Sequence, residues 1–121
     1  MENYKILLFD LDGTLLRNDK TLSEHTLETL FKCKERGYLI GISTSRGEQN
    51  CLSFLREVKP DILISSGGAL VRANGTIICS SSFSATETKS FIETARNICG
   101  VDCEITVDTL DAHYWNYKTN P

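Results

Sequence analysis

Asp10 and Asp12 stand two residues apart, after the apolar run Lys5-Ile6-Leu7-Leu8-Phe9 and before Gly13-Thr14-Leu15-Leu16. Side chains alternate along extended backbone, so both carboxylates point to one side while Leu11 turns into the core between them. Two carboxylates in one small space repel unless a proton or cation neutralises them, and the cation that suits hard oxygen donors here is Mg2+. Gly13 lets the chain swing away from the strand, and Thr14 adds a hydroxyl and an N–H at the mouth. A second group, Ser43-Thr44-Ser45-Arg46-Gly47, joins a strand end to a helix start. Hydroxyls, free N–H groups and the Arg46 guanidinium at such a junction form an anion site that a phosphate fits. Alone, the first group would be a solvated turn and the second an ordinary N-cap. Their shared placement at carboxyl ends of strands, where open α/β sheets keep their sites, argues for chemistry.

The positioning elements follow from hydrophobic pattern and punctuation. The run ending at Phe9 reads as a buried strand. Arg17-Asn18-Asp19-Lys20 is a polar loop. Thr21 with Glu24 predicts a capping box, Leu27, Leu30, Phe31 and Cys33 a helical stripe, and Gly37 a C-cap. Tyr38–Ser43 predicts a second strand, giving a right-handed βαβ unit with a parallel sheet. A helix from Glu48 to about Glu57 closes at Lys59-Pro60, and Asp61–Ser65 predicts a third strand. Ser66-Gly67-Gly68-Ala69 turns the chain, and Leu70–Arg72 and Thr76–Cys79, joined by Ala73-Asn74-Gly75, predict a hairpin. From Ser80 the composition becomes Ser/Thr-rich, as at the passage into a second module. There Ser84–Cys99 predicts an amphipathic helix ended by Gly100, with strands Cys103–Val107 and Ala112–Tyr117 after it. The fold class is therefore α/β, with a Rossmann-like parallel-sheet core over residues 1–81 and a second α/β module beginning at 82–121.

Bulk properties exclude several functions. With 121 residues the chain can bury one ordinary core. A net charge of −3 with scattered lysines leaves no basic stripe, so no nucleic acid is expected. The amino terminus carries neither a signal-peptide core nor a membrane span, so no membrane partner is expected and the reading is cytoplasmic. Cys33, Cys51, Cys79, Cys99 and Cys103 form no CxxC pair and read as free thiols, which suits that compartment. No GxxxxGK is present, which excludes a P-loop.

Asp10-Leu11-Asp12-Gly13-Thr14-Leu15 resembles the first motif of the haloacid dehalogenase (HAD) superfamily, mostly Mg2+-dependent phosphohydrolases. Ser43–Arg46 resembles the second, which in the Cof-like branch commonly reads Thr-Gly-Arg. Thr44 and Arg46 match and Ser45 stands in place of Gly; at Gly67-Gly68-Ala69 the branch usually has Asn-Gly-Ala. The resemblance implies Asp10 as nucleophile, forming an aspartyl-phosphate, and Asp12 as general acid and base. It implies Mg2+ held by Asp10 and by Asp12 through its backbone carbonyl. Phosphate contacts fall to Thr44, Ser45, Arg46 and the backbone of Leu11 and Gly13, and the expected substrates are small phosphorylated metabolites. It also implies that residues 82–121 open an α/β cap, and that a catalytic Lys and a further acidic pair come from strands after the cap. Asp108-Thr109-Leu110-Asp111 mimics that pair but reads as a turn between cap strands. A receiver domain is disfavoured because its phosphorylated Asp follows the third strand, where Ser65-Ser66-Gly67 stand. The chain thus reads as an incomplete HAD fold, the amino-terminal part of an enzyme, or alternatively as an inactive remnant that binds phosphate or a partner. An incomplete sheet would leave Ile6–Phe9 as an open edge prone to self-association.

Overall fold

A computed structural model describes residues 5–116. Three parallel strands, β1 (Ile6–Phe9), β2 (Leu39–Ser43) and β3 (Ile62–Ser65), are continued by antiparallel β4 (Leu70–Ala73) and β5 (Thr76–Ser80) in the order β1-β2-β3-β4-β5. Helices α1 (Glu24–Glu35) and α2 (Leu52–Val58) connect the parallel strands. Alternation along the strands sends Leu7, Phe9, Ile40, Ile42 and Leu63 into one cluster with Leu11, Leu30, Cys51 and Val58. The opposite alternation leaves Ile6 and Leu8 exposed at 45% and 51%, on a strand that pairs only with β2 among the described residues. The tight turn of the β4–β5 hairpin takes left-handed φ at both Asn74 (50°) and Gly75 (82°), as its sequence predicts.

Several local expectations differ in detail. Helix α1 is capped by Ser23, whose Oγ accepts the Thr26 N–H at 3.0 Å. Thr21, expected as the cap, instead donates its N–H and hydroxyl to Asp19, since that carboxylate lies two residues back, the spacing of a local Asx turn. Phe31 is exposed at 62% because one residue of helix, about 100°, carries it off the stripe centred on buried Leu30. The helix expected from Glu48 starts as a tight turn, Glu48–Asn50, and breaks at Cys51, whose buried thiol donates to the Glu48 carbonyl at 3.3 Å.

Helix α3 (Ala85–Cys99) follows with a complete capping box, Glu87 N–H to Ser84 Oγ at 3.1 Å and Ser84 N–H to Glu87 Oε1 at 3.4 Å. A small antiparallel pair, β6 (Thr106–Asp108) and β7 (His113–Trp115), comes last and is shorter than its sequence predicts. Tyr117, expected in the last strand, lies outside the described residues. The stretch from Asp108 to Asp111 does enter a turn, closed by the Thr109 N–H on the Ala112 carbonyl at 2.9 Å. No helix among the described residues is long and apolar enough to cross a membrane.

Candidate active site

Fully buried Leu11 pins the chain just after β1, and this anchoring turns the acids on either side of it outward. The backbone then makes a wide turn in which the Leu16 N–H reaches the Leu11 carbonyl at 3.0 Å and Gly13 takes φ 78°, a conformation that favours glycine. Asp10 is exposed, and its Oδ1 accepts the N–H of Leu11 at 2.8 Å. Asp12 has a different environment. Arg46 grips its carboxylate with two parallel bonds, Nε to Oδ2 and Nη2 to Oδ1, both 2.8 Å, and Lys20 Nζ adds a third at 3.0 Å. The Arg46 guanidinium first, and Lys20 second, hold the Asp12 carboxyl well below the usual carboxylate range, while Asp12 pushes Arg46 up.

Arg46 is itself held in place. Its Nη1 donates to the Asn50 carbonyl at 3.2 Å, and its guanidinium lies 5.2 Å from the centre of the Phe54 ring. Buried Thr44 organises the loop behind it, since its Oγ1 accepts the Arg46 N–H at 3.0 Å. Ser66 N–H to the Arg46 carbonyl (2.8 Å) and Gly67 N–H to the Thr44 carbonyl (3.1 Å) tie the ends of β2 and β3 together. Ser45 is exposed on this loop.

The structure thus brings the two candidate groups together, and the Asp12–Arg46 pair is the join. Arg46, which the resemblance assigns to phosphate, contacts Asp12, and the Asp12 carboxylate pairs with both Arg46 and Lys20. Among the described residues no three His, Cys, Asp or Glu side chains gather as a metal cluster. What fits Mg2+ is a set of hard oxygens: the exposed Asp10 carboxylate, whose Oδ1 accepts the Leu11 N–H, and the Asp12 carbonyl. Lys20 was missed by sequence reasoning. Its only signal is a lysine in a polar loop; the fold reveals φ 64° and a Lys20 N–H to Arg17 carbonyl bond of 2.9 Å that turn it back toward Asp12.

The β6–β7 hairpin meets this loop. Gly47 has ordinary extended angles, but a Cβ there would lie 2.5 Å from Asp108 Cγ, so glycine is required for space. Gln49 Nε2 donates to the Leu110 carbonyl at 2.9 Å, and Asp108 is paired with His113.

A family model of haloacid dehalogenase-like hydrolases matches residues 7–120. The chain belongs to the haloacid dehalogenase-like hydrolases. Within that family it is similar to two proteins of Bacillus subtilis named 5-amino-6-(5-phospho-D-ribitylamino)uracil phosphatase. It is 39% identical to YitU over 54 residues, 45% of this chain and 20% of that protein. To YcsE it is 32% identical over 85 residues, 70% of this chain and 32% of that protein. A haloacid dehalogenase-like hydrolase from Bacteroides thetaiotaomicron superposes with a TM-score of 0.82 at 19% identity, over 98% of this chain and 46% of that one. A HAD subclass IIB sugar phosphatase superposes with a TM-score of 0.75 at 24% identity, over 93% and 44%. The HAD-like chain therefore has the HAD fold, and it spans a fifth to a third of the two curated relatives.

Proposed function

We propose that the protein hydrolyses small phosphomonoesters by way of an aspartyl-phosphate on Asp10, in the cytosol. The observation that carries this reading is the exposed Asp10 carboxylate standing beside an Asp12 held ionised by Arg46, within a HAD-like hydrolase chain. Asp10 attacks phosphorus in line, and the bond from phosphorus to the ester oxygen breaks as the new one forms. The leaving oxygen takes a proton from Asp12, and Asp12 regains one from the water that then splits the aspartyl-phosphate, releasing phosphate and freeing Asp10. In the geometry described Asp12 is a carboxylate, the form that accepts the proton from water; donating one requires its cation contacts to loosen around bound substrate. The Asp10 carboxylate and the Asp12 carbonyl would hold Mg2+, which when bound would supply neutralisation of the developing charge. Thr44, Ser45 and the N–H groups of Leu11 and Gly13 are the proposed phosphate contacts. The names of the relatives, phosphatases of a phosphoribitylamino-uracil, support a small phosphorylated metabolite as substrate. Five unpaired cysteines support the cytosol. Residues 1–81 serve as core, and 82–121 as the opening of a cap.

The exposed edge strand β1 favours a second reading for residues 1–121 by themselves. They would bind phosphate or a partner, or self-associate along Ile6–Phe9, without turnover.

The test is release of 4-nitrophenol from 4-nitrophenyl phosphate with Mg2+. Asp10→Asn should lose at least about 10³-fold in turnover with an unchanged circular dichroism spectrum. Turnover retained in Asp10→Asn would overturn the nucleophile assignment.

A further inference from the structure

We infer that Lys20 and Arg46 have separate tasks: Arg46 is a fixed positioning residue for Asp12, and Lys20 is the exchangeable cation that leaves Asp12 for the phosphoryl group of an incoming monoester. The inference rests on the phosphatase reading above and assigns a substrate-binding residue to it. Asp12 carries one negative charge, and two cations converge on it. With the Asp10 carboxylate two residues away the two cations only balance the two acids, so a dianionic phosphoryl group arriving at Asp10 adds charge that a cation free to re-aim would meet.

Which cation moves is decided by how each is held. Arg46 makes a planar, two-point grip on Asp12, donates to Asn50, rests beside the Phe54 ring and is tied through its own backbone to Thr44 and Ser66. Moving it would break all of these together. Lys20 makes a single contact to Asp12 and its side chain is 58% exposed against 21% for Arg46. An ammonium is a point charge on a flexible stem and re-aims without losing a geometric match. The turn holding it, closed by Lys20 N–H to Arg17 carbonyl and Arg17 N–H to Thr21 carbonyl, both 2.9 Å, fixes the backbone from which the stem reaches Asp12.

Steady-state kinetics on 4-nitrophenyl phosphate separate the tasks. Lys20→Ala should raise KM about 5- to 10-fold with kcat within about threefold, and Lys20→Arg should restore KM. Arg46→Lys should lower kcat about 10- to 100-fold with KM within about threefold, since a lysine cannot reproduce the two-point grip. Lys20→Ala with unchanged KM overturns the inference while leaving the phosphatase reading intact. A wild-type protein without phosphatase activity counts against that reading instead, and a second measurement then decides this one. In NMR titrations with inorganic phosphate, the Lys20 Nζ signal should shift and the Arg46 Nε signal should stay; a silent Lys20, or a shift at Arg46 alone, overturns it.

Discussion

Residues 5–80 and residues 83–116 are built on different principles. Every buried residue of the described chain lies at or before Leu70, whereas helix α3 buries none and leaves Phe91, Ile98 and nearby Val101 exposed at 55%, 78% and 79%. The first region is held by packing of alternating strand residues against α1 and α2. The second is held by local devices, the Ser84–Glu87 box and the edge-to-face Phe83–Phe91 pair with ring centres 4.8 Å apart. All candidate catalytic residues sit in the packed region. A site that must hold atoms to fractions of an ångström needs neighbours that cannot move, and a capped but uncovered helix does not supply them.

The sharpest contrast comes from deleting one isoleucine in each region. Ile42→Ala, at a fully buried position, should destabilise by about 2–5 kcal/mol, while Ile98→Ala should stay within about 0.5 kcal/mol in urea unfolding. Similar losses at both sites would mean that α3 is covered in solution. Next in size is Gly47→Ala, where the two regions touch. A methyl group 2.5–2.6 Å from the Asp108 carboxyl should displace the hairpin at a cost of about 1–3 kcal/mol, and Asp108→Ala in the same chain should recover most of it. Hydrogen exchange should report the loss in β6 and β7 rather than in β2. Absence of any coupling in the double mutant would show that the contact does not join the regions.

Smaller effects follow from single groups. Ser84→Ala removes the box at a cost of about 1 kcal/mol, and because α3 shares no core with the sheet, the loss should appear as fraying of α3 without a shift of the main unfolding transition. Cys51 offers the complementary probe. Burial, with Glu48 second, pushes its thiol from 9.0 up to about 11. A raised thiol contributes its stability fully below about pH 9 and loses it as pH rises through about 11. At pH 8 a thiol reagent should label exposed Cys79 and Cys99 promptly and reach Cys51 only on unfolding. Prompt labelling of Cys51 would show that the tight turn at Glu48–Asn50 opens readily.

Strands β1 to β5, helices α1 and α3 and the acidic turn were legible in the chain before any folding. Each rests on interactions between residues near in the chain: alternation into Asp10, the two left-handed residues at Asn74-Gly75, the box at Ser84. Parallel strands place their carboxyl ends side by side, and so the loop that carries Asp12 meets the loop that carries Arg46. Near-neighbour rules went astray where two local solutions compete, as when Thr21 bonded to Asp19 and left the helix cap to Ser23, and at element ends, as where the helix expected from Glu48 breaks at Cys51. Tertiary structure alone decided what the charged side chains do once assembled. Arg46 lies 34 residues from Asp12 and grips it, and Lys20 reaches the same carboxylate from a loop with no motif of its own. Charge pairing acts through space and depends on backbone direction at each end, here the left-handed turn at Lys20 and the stacked guanidinium of Arg46. No spacing in a linear sequence encodes that geometry.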